Sequence, residues 1–436
     1  MVRNTNFKAK QSLSDRKRYC LKDEVRLRKT PQGGAVFLPS QALAIEMDGE
    51  AISLLALLNK TKDIFSLRTQ LCKVFNHNLT IAEIDRILQH LVELGFVRRL
   101  EPMETIKSSP VLPEIEAPEC IHIQLTTRCN QNCPSCYLHG ENCSELDLLK
   151  LLALVDEIAA MGVFQLAIGG GEPFLSPHLI PLVRHARNRG ILPNITTNGS
   201  LITKDSLNDL APYVGEIRLS CQDGQNILSL SFRELIRQVK TAGISLGFNL
   251  IVTRPFLPKL QDILSKLDVF TPSSLVLLRP KPSPENGEWY AENSLSSKDC
   301  KLLAEILASL KIRSLHNLSL DCAFSFLFVH LPEQELLKSG VQGCSAARRF
   351  CVVKANGDVY PCSHFSDESF CMGNIMLSSF MEIWQNRKQE NIAQISSGSY
   401  DRCGKCGHQS VCGGCRAISL YEGGDLYSRD PGCCIV

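Results

Sequence analysis

The residues IHIQLTTRCNQNCPSCY, 121–137, decide how the rest of the chain reads. IHIQLT has the apolar character of a β-strand. It runs directly into Cys129, Cys133 and Cys136, three thiols within eight positions. Thiolates in tight loops suit zinc or iron–sulfur clusters, because soft sulfur donors match those metals. A closed tetrahedral site takes four ligands. A four-iron cluster held by three cysteines instead keeps one iron free for an external chelator.

Outward from this stretch a rhythm follows. Further strand-like runs stand at FQLAIGG (164), ILPNITT (191), EIRLSC (216), SLGFNLIVT (245) and SSLVLLRP (273), with helical patterns such as SELDLLKLLALVDEIAAMG and FRELIRQVKTAG between them. Six strands alternating with helices predict an α/β fold over 119–314, a parallel sheet or a partial (β/α)6 TIM-like barrel, with its chemistry at the C-terminal strand ends. The thiols directly follow the first strand, at that end. From 315 to 436 the alternation fails and cysteines, glycines and short segments take over, so metal ligation is expected to organise this portion.

Upstream, residues 1–20 are polar and basic and read as a flexible arm. Residues 21–100 hold three β-like runs, VRLRK, GAVFLP and ALAIEM, and three helical patterns. The last helix carries Ile81, Ile84, Ile87, Leu88 and Leu91 at the spacing of one face, a capping box of Thr80 with Glu83, and Gly95 at its end. This predicts a winged-helix-like domain. Residues 101–118 are rich in proline, acids and serine and read as a linker.

The 436 residues are 44% hydrophobic and 21% charged, a globular composition. Lys plus Arg is 47 against 45 for Asp plus Glu, so no overall basic field announces a nucleic acid or a membrane. Neither a secretory leader pattern nor an apolar run of spanning length is present. Twenty cysteines then point to metal or redox work in a reducing, cytoplasmic setting.

The C-x3-C-x2-C spacing after the first strand resembles the radical S-adenosylmethionine (radical SAM) enzymes, in which the methionine moiety of the cofactor fills the vacant iron position. The second strand runs into GGGEPF, where Gly170, Gly171, Glu172 and Pro173 match the family's GGEP segment, whose backbone and carboxylate meet the cofactor's ammonium. Glycine suits a backbone that must approach a ligand closely. Asn198, Ser220 and Asn249 fall at later strand ends, where the family presents ribose and carboxylate contacts. Ser135 stands where the family usually has an aromatic residue, with Tyr137 two positions on.

The tail resembles the SPASM extension of these enzymes, which carries two auxiliary four-iron clusters with interleaved ligands. The resemblance implies one cluster on Cys403, Cys406, Cys412 and Cys433, and another on Cys344, Cys362 and Cys415 completed by Cys322 in preference to Cys351. Two glycines separate Cys412 from Cys415 where three residues are commoner. Cys434 reads as a spare neighbour, and Cys20, Cys72, Cys143, Cys221, Cys300 and Cys371 as plain thiols. Full ligation favours electron transfer over substrate anchoring.

Residues 24–100 resemble the PqqD-like recognition element of ribosomally made, modified peptides, whose β-edge accepts a leader as an added strand. Arg26, Arg28, Lys29, Arg98 and Arg99 are scattered, as on a solvated face rather than a DNA-reading helix. Together the resemblances imply a peptide maturase: an electron from a flavodoxin- or ferredoxin-type donor cleaves S-adenosylmethionine to a 5′-deoxyadenosyl radical, which oxidatively modifies a precursor peptide, for example by a thioether or carbon–carbon crosslink. A tetrapyrrole or a folded protein is the alternative substrate. A zinc-stabilised winged-helix binding protein is the alternative of another class. Asp223, Arg279 and Tyr137 can each face the cavity, with structural roles the simpler expectation.

Overall fold

A computed structural model describes residues 17–22, 25–30, 33–38, 43–58, 62–75, 79–101, 104, 117–138, 143–221, 229–310, 318–328, 343–387, 392, 395, 406, 408 and 412–435. The chain forms two compact units, Met1–Ile115 and Glu116–Val436.

In the first unit, β1 (Arg18–Leu21), β2 (Arg26–Thr30), β3 (Gly33–Leu38) and β4 (Leu43–Met47) precede the helix α1 (Gly49–Leu57). β2, β3 and β4 form an antiparallel meander. β5 (Lys62–Asp63), α2 (Ile64–Phe75), α3 (Ile81–Glu93) and β6 (Val97–Leu100) follow, and β1 lies between β5 and β6 in a second sheet. β1 takes the last residues of the expected arm, because Tyr19, Cys20 and Leu21 are buried. The Thr80–Glu83 capping box starts α3, and Ile84, Leu88 and Leu91 face the core. Ile87, assigned from spacing to the same face, is exposed.

In the second unit, β7 (Cys120–Thr126), β8 (Gln165–Gly170), β9 (Leu192–Thr197), β10 (Glu216–Cys221), β11 (Ser245–Ile251), β12 (Ser274–Leu278) and β13 (Leu318–Leu320) are neighbours in chain order and parallel. The helices α4 (Leu148–Ala160), α5 (Leu179–Asn188), α6 (Lys204–Leu210), α7 (Leu230–Thr241) and α8 (Leu260–Asp268) separate successive strands. The result is a mixed α/β fold around a parallel sheet. Strand interiors such as Ile121, Ile123, Leu166, Ile168, Leu219 and Phe248 are buried, as a sheet covered by helices requires. Among the described residues, no helix is long and apolar enough to cross a membrane.

The portion after 315 departs from expectation. β14 (Phe350–Val353) adds to the free side of β7 in parallel register, from Phe350 opposite Cys120 to Val353 opposite Ile123. β15 (Asp358–Tyr360) and β16 (Gly373–Asn374) extend the same sheet antiparallel. A short helix, Phe380–Gln385, packs beside α4, where the Met381 amide donates to Glu157 Oε1 at 2.9 Å. Phe365, Phe370, Phe380, Ile383 and Trp384 join the same hydrophobic core as the barrel strands. Apolar burial therefore contributes more to this region than its scarcity of long apolar runs suggests. Its aromatic residues are too widely spaced for a window-based reading to register them.

Trp384 is fully buried, with the Arg387 guanidinium 4.3 Å from its ring centroid. Trp384→Ala is expected to cost about 3–5 kcal/mol, the usual range for emptying an aromatic site. Denaturant unfolding of the full chain, compared with Trp384→Phe, measures it.

Candidate active site

The cysteine loop is anchored where it leaves β7. Thr126 Oγ1 donates to Glu145, the Thr127 amide donates to Glu145 Oε1 at 3.3 Å, and the Arg128 side chain reaches the same carboxylate at 3.6 Å. The end of β8 presses against this loop. The Gly171 amide donates to Thr126 O at 2.7 Å and the Glu172 amide to Arg128 O at 2.8 Å. A Cβ on Gly170 would run into the Thr126 carbonyl, and one on Gly171 into that of Arg128. Gly170 also has φ +118°, a left-handed conformation that disfavours other residues. The immediate reason for these glycines is thus the neighbouring backbone, where the sequence reading invoked the ligand.

Glu172 is fully buried and ties two strand ends together. Its Oε1 accepts from Thr197 Oγ1 at 2.7 Å and from the Phe174 amide at 3.1 Å, and its Oε2 accepts from the Asn198 amide at 2.9 Å. Pro173 opens the short turn Pro173–Leu175 behind it and does not line the cavity described below. Asn198 Nδ2 donates to Asn130 Oδ1 at 3.0 Å, and Asn130 Nδ2 donates to Ser200 Oγ at 2.8 Å. Asn130 lies between Cys129 and Cys133, so this bridge carries the cysteine loop to the end of β9. Sequence reading passed over Asn130, Ser200 and Glu145, which ordinary polarity does not distinguish.

Cys129, Cys133, Cys136, Gly170, Gly171, Glu172, Asn198, Ser220 and Asn249 all line one cavity of about 670 Å³. That volume is in the range of small-molecule and cofactor sites. Tyr137 and Arg279 also line it, while Asp223 lies outside the described residues. The Tyr137 ring packs 5.1 Å from His364, and burial raises its phenol above the usual tyrosine range. The site suits the implied cofactor: three soft thiols on one loop at the wall of a cavity large enough for a nucleoside.

The tail cysteines divide into two neighbourhoods. Cys322, Cys362 and Cys415 each lie within electrostatic reach of Cys344 and Lys281, and Cys322 and Cys362 also of Asp321. Cys351 lies elsewhere, fully buried on β14 near Cys120. Cys406, Cys412 and Cys433 line a second, smaller cavity with Gly413, Gly414 and Asp430. Cys403 lies outside the described residues. Gly414 in the CGGC turn has φ +58°, and a Cβ there would meet Asp430, which is why glycine stands there. Burial pushes the Cys362 thiol up to about 11 and Cys415 up to about 12, so both stay protonated near neutrality unless a metal displaces the proton. Among the described residues, no three His, Cys, Asp or Glu side chains are gathered closely enough to hold a single metal ion.

Residues 123–246 match the Radical SAM superfamily model, and residues 344–407 match the SPASM iron–sulfur cluster-binding domain. The mycofactocin maturase MftC of Mycobacterium tuberculosis (strain CDC 1551 / Oshkosh) is 27% identical over 339 residues, covering 73% of this chain and 83% of that protein. The AdoMet-dependent heme synthase of Methanosarcina barkeri (strain Fusaro / DSM 804) is 25% identical over 347 residues, covering 73% of this chain and 96% of its own. Among solved structures, Streptococcus suis SuiB bound to precursor peptide SuiA superposes with a TM-score of 0.71 at 15% identity, over 96% of this chain and 100% of that one. This chain therefore carries radical SAM and SPASM regions, and it is an enzyme that works with [4Fe–4S] clusters and S-adenosylmethionine.

Two outcomes follow from the site's geometry. Gly171→Ala displaces the Arg128 carbonyl, so S-adenosylmethionine binding by calorimetry falls at least tenfold, whereas Gly49→Ala, with open space around its Cβ, leaves it unchanged. His122, in the cavity wall, is held neutral by burial, its pKa brought down to about 4. The unfolded chain takes up this proton near the ordinary value of about 6.5, so the contribution is intact above that pH and is lost as pH falls from 6.5 towards 4. Equilibrium unfolding at stepped pH should show a shallower acid decline in His122→Gln.

Proposed function

We propose that this enzyme is a peptide maturase that oxidatively modifies a ribosomally made precursor, by a thioether or carbon–carbon crosslink or a related change. The observation that carries the reading is the separate N-terminal unit of sheet and helices in a chain whose fold likeness to SuiB extends over 96% of its length. SuiB in that structure is bound to its precursor peptide SuiA. In this reading residues 21–100 act as a PqqD-like recognition element. A leader peptide adds a strand to an exposed sheet edge, which main-chain hydrogen bonds make tolerant of sequence.

Cys129, Cys133 and Cys136 hold the first cluster, and Gly170, Gly171, Glu172, Asn198, Ser220 and Asn249 frame the cofactor beside it. When bound, cluster and cofactor supply a 5′-deoxyadenosyl radical able to take hydrogen from an unactivated carbon. The chain's own part is placement. Glu172 and Asn130 hold the loop against two strand ends, and the cavity wall keeps the reacting carbon away from bulk water. Cys322, Cys344, Cys362 and Cys415 hold one auxiliary cluster, and Cys403, Cys406, Cys412 and Cys433 a second. A flavodoxin- or ferredoxin-type donor in the cytoplasm supplies the electron.

A second reading keeps the cofactors and changes the substrate to a tetrapyrrole. It draws on the heme synthase, which matches at an identity close to that of the maturase. Co-expression with a short peptide encoded beside this gene separates the two. The maturase reading expects a mass loss of two hydrogens per modification, abolished by the Cys129→Ala, Cys133→Ala, Cys136→Ala triple variant. An unchanged peptide together with turnover of an iron–porphyrin would favour the second reading.

A further inference from the structure

Two cations leave the end of β12 two residues apart, Arg279 and Lys281, and both line the main cavity. Behind the cavity wall each meets a buried carboxylate. Arg279 Nη1 pairs with Asp430 Oδ2 at 2.8 Å, donates to Ala323 O at 3.1 Å, and stands 5.5 Å over the Phe326 ring. Asp430 Oδ2 also accepts the Cys415 amide at 2.7 Å. This pair clamps the Cys415 segment to the end of β12. Lys281 pairs with Asp321, the residue before Cys322, and Asp321 Oδ1 accepts the Ala323 amide at 2.5 Å. The side chains of Lys281 and Asp321 are only 10% and 7% exposed.

Asp321 immediately precedes Cys322, which brings the second pair to the edge of the thiol group. The ion pair with Asp321 outweighs the cost of burial and keeps the Lys281 ammonium charged. A cluster gains negative charge when reduced. A fixed cation beside its sulfurs favours that state, an anion opposes it, and a water-poor interior enlarges both effects.

We propose that the Lys281–Asp321 pair, beside Cys322, sets the reduction potential of the cluster on Cys322, Cys344, Cys362 and Cys415. The inference rests on reading these four cysteines as cluster ligands. Lys281 is a tuning residue, and its charge rather than its shape is what matters.

The test uses the full chain, reconstituted without oxygen in the Cys129→Ala, Cys133→Ala, Cys136→Ala background, so that only tail clusters contribute. EPR-monitored redox titration should find Lys281→Met shifted downward by at least a tenfold change in the oxidised-to-reduced ratio, about 59 mV for one electron. Asp321→Asn should shift upward, and Lys281→Arg should stay near the parent. Should Lys281→Met fail to load iron, Asp321→Asn carries the test. An unmoved potential in whichever variant loads overturns the inference. The ligand reading fails separately, if Cys322→Ala with Cys415→Ala leaves iron content and both EPR signals intact.

Discussion

The contact on which the catalytic end of the barrel depends is between two stretches of main chain. The turn after β8 lies so close to the loop after β7 that no side chain fits between Gly170, Gly171 and the carbonyls of Thr126 and Arg128. Two amide hydrogen bonds close the gap. A thiol-bearing loop is intrinsically mobile, and without this backing its three sulfurs would not share one geometry. Glu172 extends the constraint to a third strand, since its buried carboxylate satisfies donors from Thr197 and Asn198. The cavity thus inherits its shape from backbone hydrogen bonding, which most substitutions at the surface leave untouched.

Joining the barrel to the tail takes both apolar packing and charge. β14 gives the sheet a shared ladder, and the aromatic residues after it share the core. At the opposite edge, the Arg279–Asp430 and Lys281–Asp321 pairs hold the cysteine-bearing segments around the exit of β12. Buried ion pairs contribute little net stability, because desolvation offsets attraction. Their effect here is positional: Asp430 fixes the Cys415 amide as well as the guanidinium.

Much of this was legible in the sequence. Six barrel strands were readable because each is a short run rich in Ile, Leu, Val or Phe with helical patterns in the gaps, and each falls within a few residues of its observed limits. Cys129, Cys133, Cys136, Gly170 and Gly171 in the main cavity were readable because cysteine and glycine are chemically distinctive. What escaped was cooperative. Asn130, Ser200 and Glu145 matter through partners up to 70 positions away, and β14 is four residues long with no periodicity of its own. Lys281 and Asp321 lie 40 positions apart, and only the fold makes them a pair. Ile87 shows the reverse failure, a helical position with the right spacing that faces outward.

The pairing of β14 with β7 also has a consequence for biogenesis. β7 is the first barrel strand to be synthesised, yet one of its two hydrogen-bonding edges waits for residues 350–353. At ordinary translation rates, those roughly 220 intervening residues correspond to about 10–45 s. For that interval the nascent sheet offers an open template to any extended chain nearby. Slow synthesis therefore prolongs a window for misassociation that ends only when the tail arrives.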